Sequence, residues 1–248
     1  MEVIGLKLPL IKKGDDLVRI ILDTLNREHK PLGEGDILVV TEKIVAKSQG
    51  RLVSLDSVTP SKKAISLAKK TGKDPRLVEL ILRESREILK VGPNFIITET
   101  KEGFVCANAG IDSSNIEKGW IKLLPKAPDR TAERMRSEIE KATGKSVGIV
   151  ISDSFGRPFR CGSVGIAIGA AGIVTLWDRR GEADLFGRTL QTTRVAVADC
   201  IASAANLVIG DGAEKVPVVL IKGLELAGEG RARDLIREKE QDVFRHKV

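Results

Sequence analysis

The chain has 248 residues, 42% of them apolar and 30% charged, and carries a formal net charge of +7. Such a composition supports a folded unit with a substantial core and excludes disordered and membrane-spanning classes, because no apolar run reaches the ~18 residues of a span. The positive balance favours anionic partners, while a chain with no Tyr and two Trp lacks the stacking platforms of nucleic-acid binders, so a small polyanion such as a nucleotide is the better fit.

In chain order, Val3 to Leu8 reads as a strand and Gly14 to Asn26 as an amphipathic helix with Asp15 and Asp16 in its first turn. "GEGDILVV" enters a second strand. A helix over Ser61 to Lys70 precedes one capped by Asp74, with Pro75 at its first position, expected to run through "RLVELILRESREILK" until Gly92 and Pro93. "NFIITETKEGFVCANAGID" predicts a β-hairpin about "KEG", which leaves Asp112 just past a strand end. After Pro125 and Pro128, Asp129 is expected to cap a helix closed by Gly144, and "SVGIVISD" to form a strand ending at Asp153. A glycine-interrupted strand region up to Trp177, an alanine-rich helix from Arg188 to Leu207, a strand in "VPVVLIKG" and a last helix from Gly230 to Phe244 follow. The irregular order fits a mixed α+β (α/β) fold, with residues 1–248 as one unit divisible at most into two lobes without a clear linker.

Several chemistries are excluded. The two histidines, His29 and His246, fall in a charged helix end and in the tail, both surface settings, so Ser-His-Asp and Cys-His catalysis lack a base. Cys106, Cys161 and Cys200 are far apart and form no CxxC pair; they are expected to be reduced thiols packed as small apolar residues. With no signal-peptide pattern at the start, a cytoplasmic location is expected. "TGKS" at Thr143 to Ser146 fails as a phosphate loop, since Ile139 stands where glycine is needed and the segment closes a helix; Gly144 reads as its C-cap. "GDGAEK" at Gly210 to Lys215 is a partial dinucleotide pattern that follows a helix instead of a strand.

Carboxylates at strand ends remain. Asp112 and Asp153 suit a hard cation held by one or two carboxylates and substrate phosphates, or else they cap the turns that follow them. Arg157 and Arg160 offer forks for phosphate or carboxylate, and Gly156, Gly162, Gly165 and Gly169 serve either ligand approach or tight β packing. Lys12, Lys43 and Lys47 stand near expected turn or strand-end positions, where an ammonium can meet phosphate oxygens or remain plain surface charge.

"LPLIKKGDDL", "GDILVVTEKIVAKSQGR", "ANAGIDSSN", "SDSFGRPFRCG", "AIGAAGI" and "VIGDGAEKVPVVLIKG" together resemble, in order across nearly the whole chain, the coenzyme F420-0:L-glutamate ligases. The resemblance implies GTP-dependent amide formation between the carboxylate on the lactyl-phosphate tail of a deazaflavin, F420-0, and the amine of L-glutamate, then a second, gamma-linked addition. It also implies Mg²⁺ or Mn²⁺, stimulation by K⁺, and an intertwined homodimer of unusual mixed-sheet fold. Carried over residue by residue, metal ligation falls on Asp112, Asp153, Ser154 and Asp211. Nucleotide contacts fall on Pro9, Leu10, Ile11, Lys12, Glu42, Lys43, Lys47, Asn115, Gly210, Asp211 and Gly212. Asp112, Asp153 and Lys47 are the expected catalytic residues, with Arg157 and Arg160 on the deazaflavin substrate. After "FGRP" the chain departs from the family's W-R-N-G and TDVAIG in having Phe159, Cys161 and "SVGIAIG". Two other functions use the same residues: a nucleotide- or phosphate-binding module without turnover, and a metal-dependent phosphohydrolase.

Overall fold

The computed structural model describes residues 1–245; His246 lies outside them. The strands are β1 (Glu2–Leu6), β2 (Ile37–Thr41), β3 (Leu52–Ser54), β4 (Ser85–Gly92), β5 (Phe95–Thr100), β6 (Val105–Ala107), β7 (Trp120–Lys122), β8 (Gly148–Arg157), β9 (Arg160–Ala171), β10 (Leu176–Asp178), β11 (Arg194–Ala196) and β12 (Val218–Lys222). The α-helices are α1 (Leu17–Arg27), α2 (Glu42–Ser48), α3 (Lys62–Thr71), α4 (Pro75–Glu84), α5 (Pro128–Thr143) and α6 (Val197–Ile209).

The main sheet runs β1-β12-β2-β8-β9, and only the β2/β8 pair is parallel. Its central strands are continuous apolar runs buried on both sides, such as Ile37 to Val40 and Ile149 to Ile151. Helices cover it closely enough to demand glycine. A Cβ at Gly165 would collide with the Ala202 carbonyl of α6, and one at Gly169 with Pro128 of α5. A register shift in β9 between these glycines turns them to opposite faces, so α5 and α6 sandwich the sheet. The glycine-interrupted stretch thus packs inside its own chain. A second cluster, centred on Ala64, Val78, Ile81 and Ile96, joins α3 and α4 to the antiparallel β4-β5-β6 sheet. This fold is mixed α+β, as the irregular element order implies.

The structure corrects four expected elements. The helix from Pro75 ends at Glu84, because Ser85 to Gly92 pairs with β5 across the Gly92–Phe95 turn; the helical apolar spacing continues, but strand pairing wins. The alanine-rich helix begins only at Val197, and Arg194–Ala196 instead closes a ribbon with β10. The final helix is absent: Ala232–Leu235 and Lys239–Gln241 are short 3-10 turns, held by ion pairs of Lys239 and Arg245 to Glu99. Asp129 is not the cap of α5, which belongs to Ala127; its carboxylate accepts from the amides of Ala170 and Ala232 and ties α5 to β9 and the C-terminal segment. Gly144 closes α5 in the left-handed conformation, as expected.

Candidate active site

The two aspartates reach the same neighbourhood by different routes. Strand β8 pairs with β2 only as far as Ser152, so Asp153 is the first residue beyond the parallel pair, although the strand itself continues to Arg157 as a ribbon with β9. The carboxylate therefore lies inside a strand but at the edge of the sheet. Asp112 follows a 3-10 turn over Asn108–Gly110 and is held by backbone bonds in both directions with Lys122. The two carboxylates lie close enough to act on each other's ionisation.

Around Asp112 the expected residues converge. Its carboxylate accepts from the amide and hydroxyl of Ser114 and pairs with Lys43 at 3.0 Å. Burial opposes ionisation here, but the Ser114 bonds and the Lys43 ammonium outweigh it and hold the carboxyl down at about 2. Lys43 and Lys47 stand one turn apart on α2, a helix where the sequence suggested turn and strand-end positions. Lys47 donates to the Asn115 carbonyl at 3.0 Å, and burial together with Lys43 lowers its pKa. The Asn115 amide donates to the Gly212 carbonyl at 2.9 Å, which brings in the loop after α6. In that loop Asp211 accepts from Ser154 at 2.9 Å and from Ser163 at 3.3 Å. The segment from Pro9 to Lys12 joins through Gly14, whose amide donates to the Ser48 carbonyl at the end of α2.

Other expected residues sit differently. Glu42 does not present its side chain to solvent: it is 3% exposed and ion-paired to Lys122 at 2.5 Å. Burial, with a smaller contribution from Asp153, raises its carboxyl to about 7 against the opposing pull of Lys122, and its second oxygen has no hydrogen-bond partner. Burial also raises Asp153, against Lys122 and the Ser154 amide. Arg157 folds back over its own hairpin and donates to the Cys161 carbonyl, whereas the Arg160 side chain has no partner among the described residues. Of the thiols, only Cys106 is buried, and burial pushes it up to about 12; Cys161 and Cys200 are exposed, contrary to expectation. His29 is exposed.

Lys122 is the residue that sequence reasoning missed. It is fully buried and donates to Glu42 and to the Gly110 carbonyl, while its charge acts on Asp153 and its backbone pairs with that of Asp112. Its signal was available in "WIKLLP", a lone lysine inside an apolar run.

The donor set around Asp112 and Asp153 is all oxygen, which fits Mg²⁺ or Mn²⁺. Among the described residues no three acidic, His or Cys side chains form a metal cage. Two carboxylates with the remaining positions left to phosphate and water is the arrangement typical of Mg²⁺-nucleotide sites, so the residues fit the ion.

A sequence profile described as F420-0:Gamma-glutamyl ligase matches residues 5–223. The chain belongs to this family. It is 59% identical over 247 residues to the coenzyme F420:L-glutamate ligase of Methanocaldococcus jannaschii, covering 99% of this chain and 97% of the relative. It is 49% identical to the Methanothermobacter thermautotrophicus enzyme of the same name, covering 99% of each. The Archaeoglobus fulgidus relative, also so named, is 44% identical over 96% of this chain and 93% of its own. Membership of a ligase family agrees with a site that gathers lysines around two carboxylates and, among the described residues, holds no histidine. Among the described residues, no helix is long and apolar enough to cross a membrane.

Proposed function

We propose that the protein joins L-glutamate to the carboxylate of F420-0 at the expense of GTP, and then adds a second, gamma-linked glutamate. The observation that carries the reading is the convergence of Lys43, Lys47, Asp112, Asn115, Ser154 and Asp211, drawn from four separate stretches of chain, in one hydrogen-bonded neighbourhood. A carboxylate is a poor electrophile. Its oxygen attacks the terminal phosphorus of GTP, GDP leaves, and the acyl phosphate so formed is attacked by the glutamate amine; the amide forms as phosphate departs, and one proton is released. With no histidine among the described residues of the site, acceleration comes from positioning and charge neutralisation.

In this scheme Asp112 and Asp153 hold the divalent cation, with Ser154 and Asp211 beside them, and that cation would withdraw charge from the phosphates. Lys47 and Lys43 face the phosphates from α2, with Lys12 on the adjoining loop, and Arg160 meets the anionic tail of the deazaflavin. K⁺ stimulation is part of the same reading. Substrate carboxylate labelled with ¹⁸O should deliver one labelled oxygen to the released phosphate, and mass spectrometry should show one and then two glutamates added. Phosphate release without glutamate would favour a phosphohydrolase, and binding without turnover a nucleotide-binding module.

The active species is proposed to be a cytoplasmic homodimer. Supporting this is the β10–β11 ribbon, whose tip leaves Leu185 99% and Phe186 88% exposed, an apolar pair that a second chain could cover. Light scattering at micromolar concentration should report about twice the chain mass of 26.9 kDa. Full activity of a monomer on dilution would reject it.

A further inference from the structure

The tip of the β8–β9 hairpin breaks a local rule. Arg157 pairs with Arg160 across a two-residue turn made by Pro158 and Phe159, and Phe159 has φ +61°. Pro suits the first corner of such a turn, but the second corner, with positive φ, is where glycine or asparagine is the low-strain choice. A bulky aromatic there stores backbone strain. Nor does Phe159 recover that cost by packing, since it is 93% exposed and its ring contact is with Phe244, centroids 6.0 Å apart and planes tilted by 42°. A strained, solvent-facing aromatic that does not serve the fold is the kind of inconsistency expected at a binding surface.

Its position gives it a ligand class. From Asp153, where β8 leaves its parallel partner β2, the strand runs out to Arg157 and the turn that carries Phe159, a distance of roughly 15–20 Å at the usual strand rise. On the reading given above, the reacting carboxylate of the substrate belongs near Asp153, and the flat ring lies at the far end of an anionic tail. Arg160, exposed and with its side chain unpartnered among the described residues, stands next to Phe159 on the course such a tail would take.

We propose that Phe159, backed by Phe244, is the stacking face for the planar ring of the deazaflavin substrate. This rests on the proposed ligase reading. An aromatic side chain recognises a ring by its face and discriminates little within it, so the contact contributes affinity for the ring while the chemistry is set further down the hairpin, near Asp153.

The test is Phe159→Gly, which suits the left-handed backbone and should keep or raise the melting temperature. Titration of F420-0 fluorescence should show affinity about tenfold weaker or worse, the scale of one lost aromatic stack. Binding of the ring-less lactyl-phosphate fragment should be unchanged, the KM for F420-0 should rise with that for GTP unaltered, and Phe159→Trp should bind like the wild type. Equal affinity of Phe159→Gly and wild type for F420-0 would overturn the proposal, as would equal losses for F420-0 and the fragment. A change in oligomeric mass would overturn it too, by making Phe159 a contact between copies. A wild-type protein that neither binds nor extends F420-0 would instead remove the ligase reading on which the proposal stands.

Discussion

On the proposed function, Asp112→Asn and Asp153→Asn are each expected to lower amide formation by about 10³-fold or more, since either would remove a charge on which the proposed cation and phosphates depend. Their effects on stability should have opposite signs. Asp112 has its carboxyl held down at about 2, so ionisation there stabilises the fold; that contribution is present above the ordinary value of 3.8 and is lost as pH falls through about 2. At neutral pH Asp112→Asn should therefore melt slightly below the wild type, by a margin kept small because the carboxylate is 41% exposed. Asp153 is raised by burial, so keeping it ionised at neutral pH costs stability, and Asp153→Asn should melt at or above the wild type while inactive. Thermal melts and mass spectrometry of the products on the same samples check both halves. Retained turnover in either variant would reject the shared site.

This asymmetry also shows what the sequence could and could not say. Both aspartates were visible because each follows an apolar run, and periodicity finds such positions well. What sets their ionisation apart was not visible. Ser114 lowers Asp112 across two residues, but the burial that raises Asp153 exists only in the folded chain, and the Lys122–Glu42 pair joins residues 80 apart in sequence. Local pattern failed for the same reason at Ser85 to Gly92, where helical spacing continues into a segment that β5 recruits as a strand. It failed again after Gly230, where a charged stretch is held by Glu99 on β5 instead of by its own helical bonds. Capping and turn residues, by contrast, act over a few positions. Asp74 with Pro75, Ser61 and Gly144 mark the helix ends where they were expected.

Lys122→Met should be the most destabilising single change at the site, costing about 3–5 kcal/mol, because it leaves Glu42 buried without its counter-charge. Urea denaturation would measure it. The loss should grow with pH: the Glu42 carboxyl is raised to about 7, so its ionisation opposes folding, and stability present below the ordinary value of 4.5 is given up as pH rises through about 7. Without Lys122 that penalty is larger, so the gap between variant and wild type should widen from acid toward neutral pH. A gap independent of pH would show that Glu42 is not its source. Adding Glu42→Gln to Lys122→Met removes both charges together and should recover most of the stability, since a neutral pair leaves no isolated ion in the core. Activity should not recover with it. The backbone bonds of residue 122 to Asp112 survive the substitution, but a methionine supplies neither the positive charge that acts on Asp153 nor the bond to the Gly110 carbonyl. A double variant that regains both stability and turnover would show Lys122 to be a support for the fold alone.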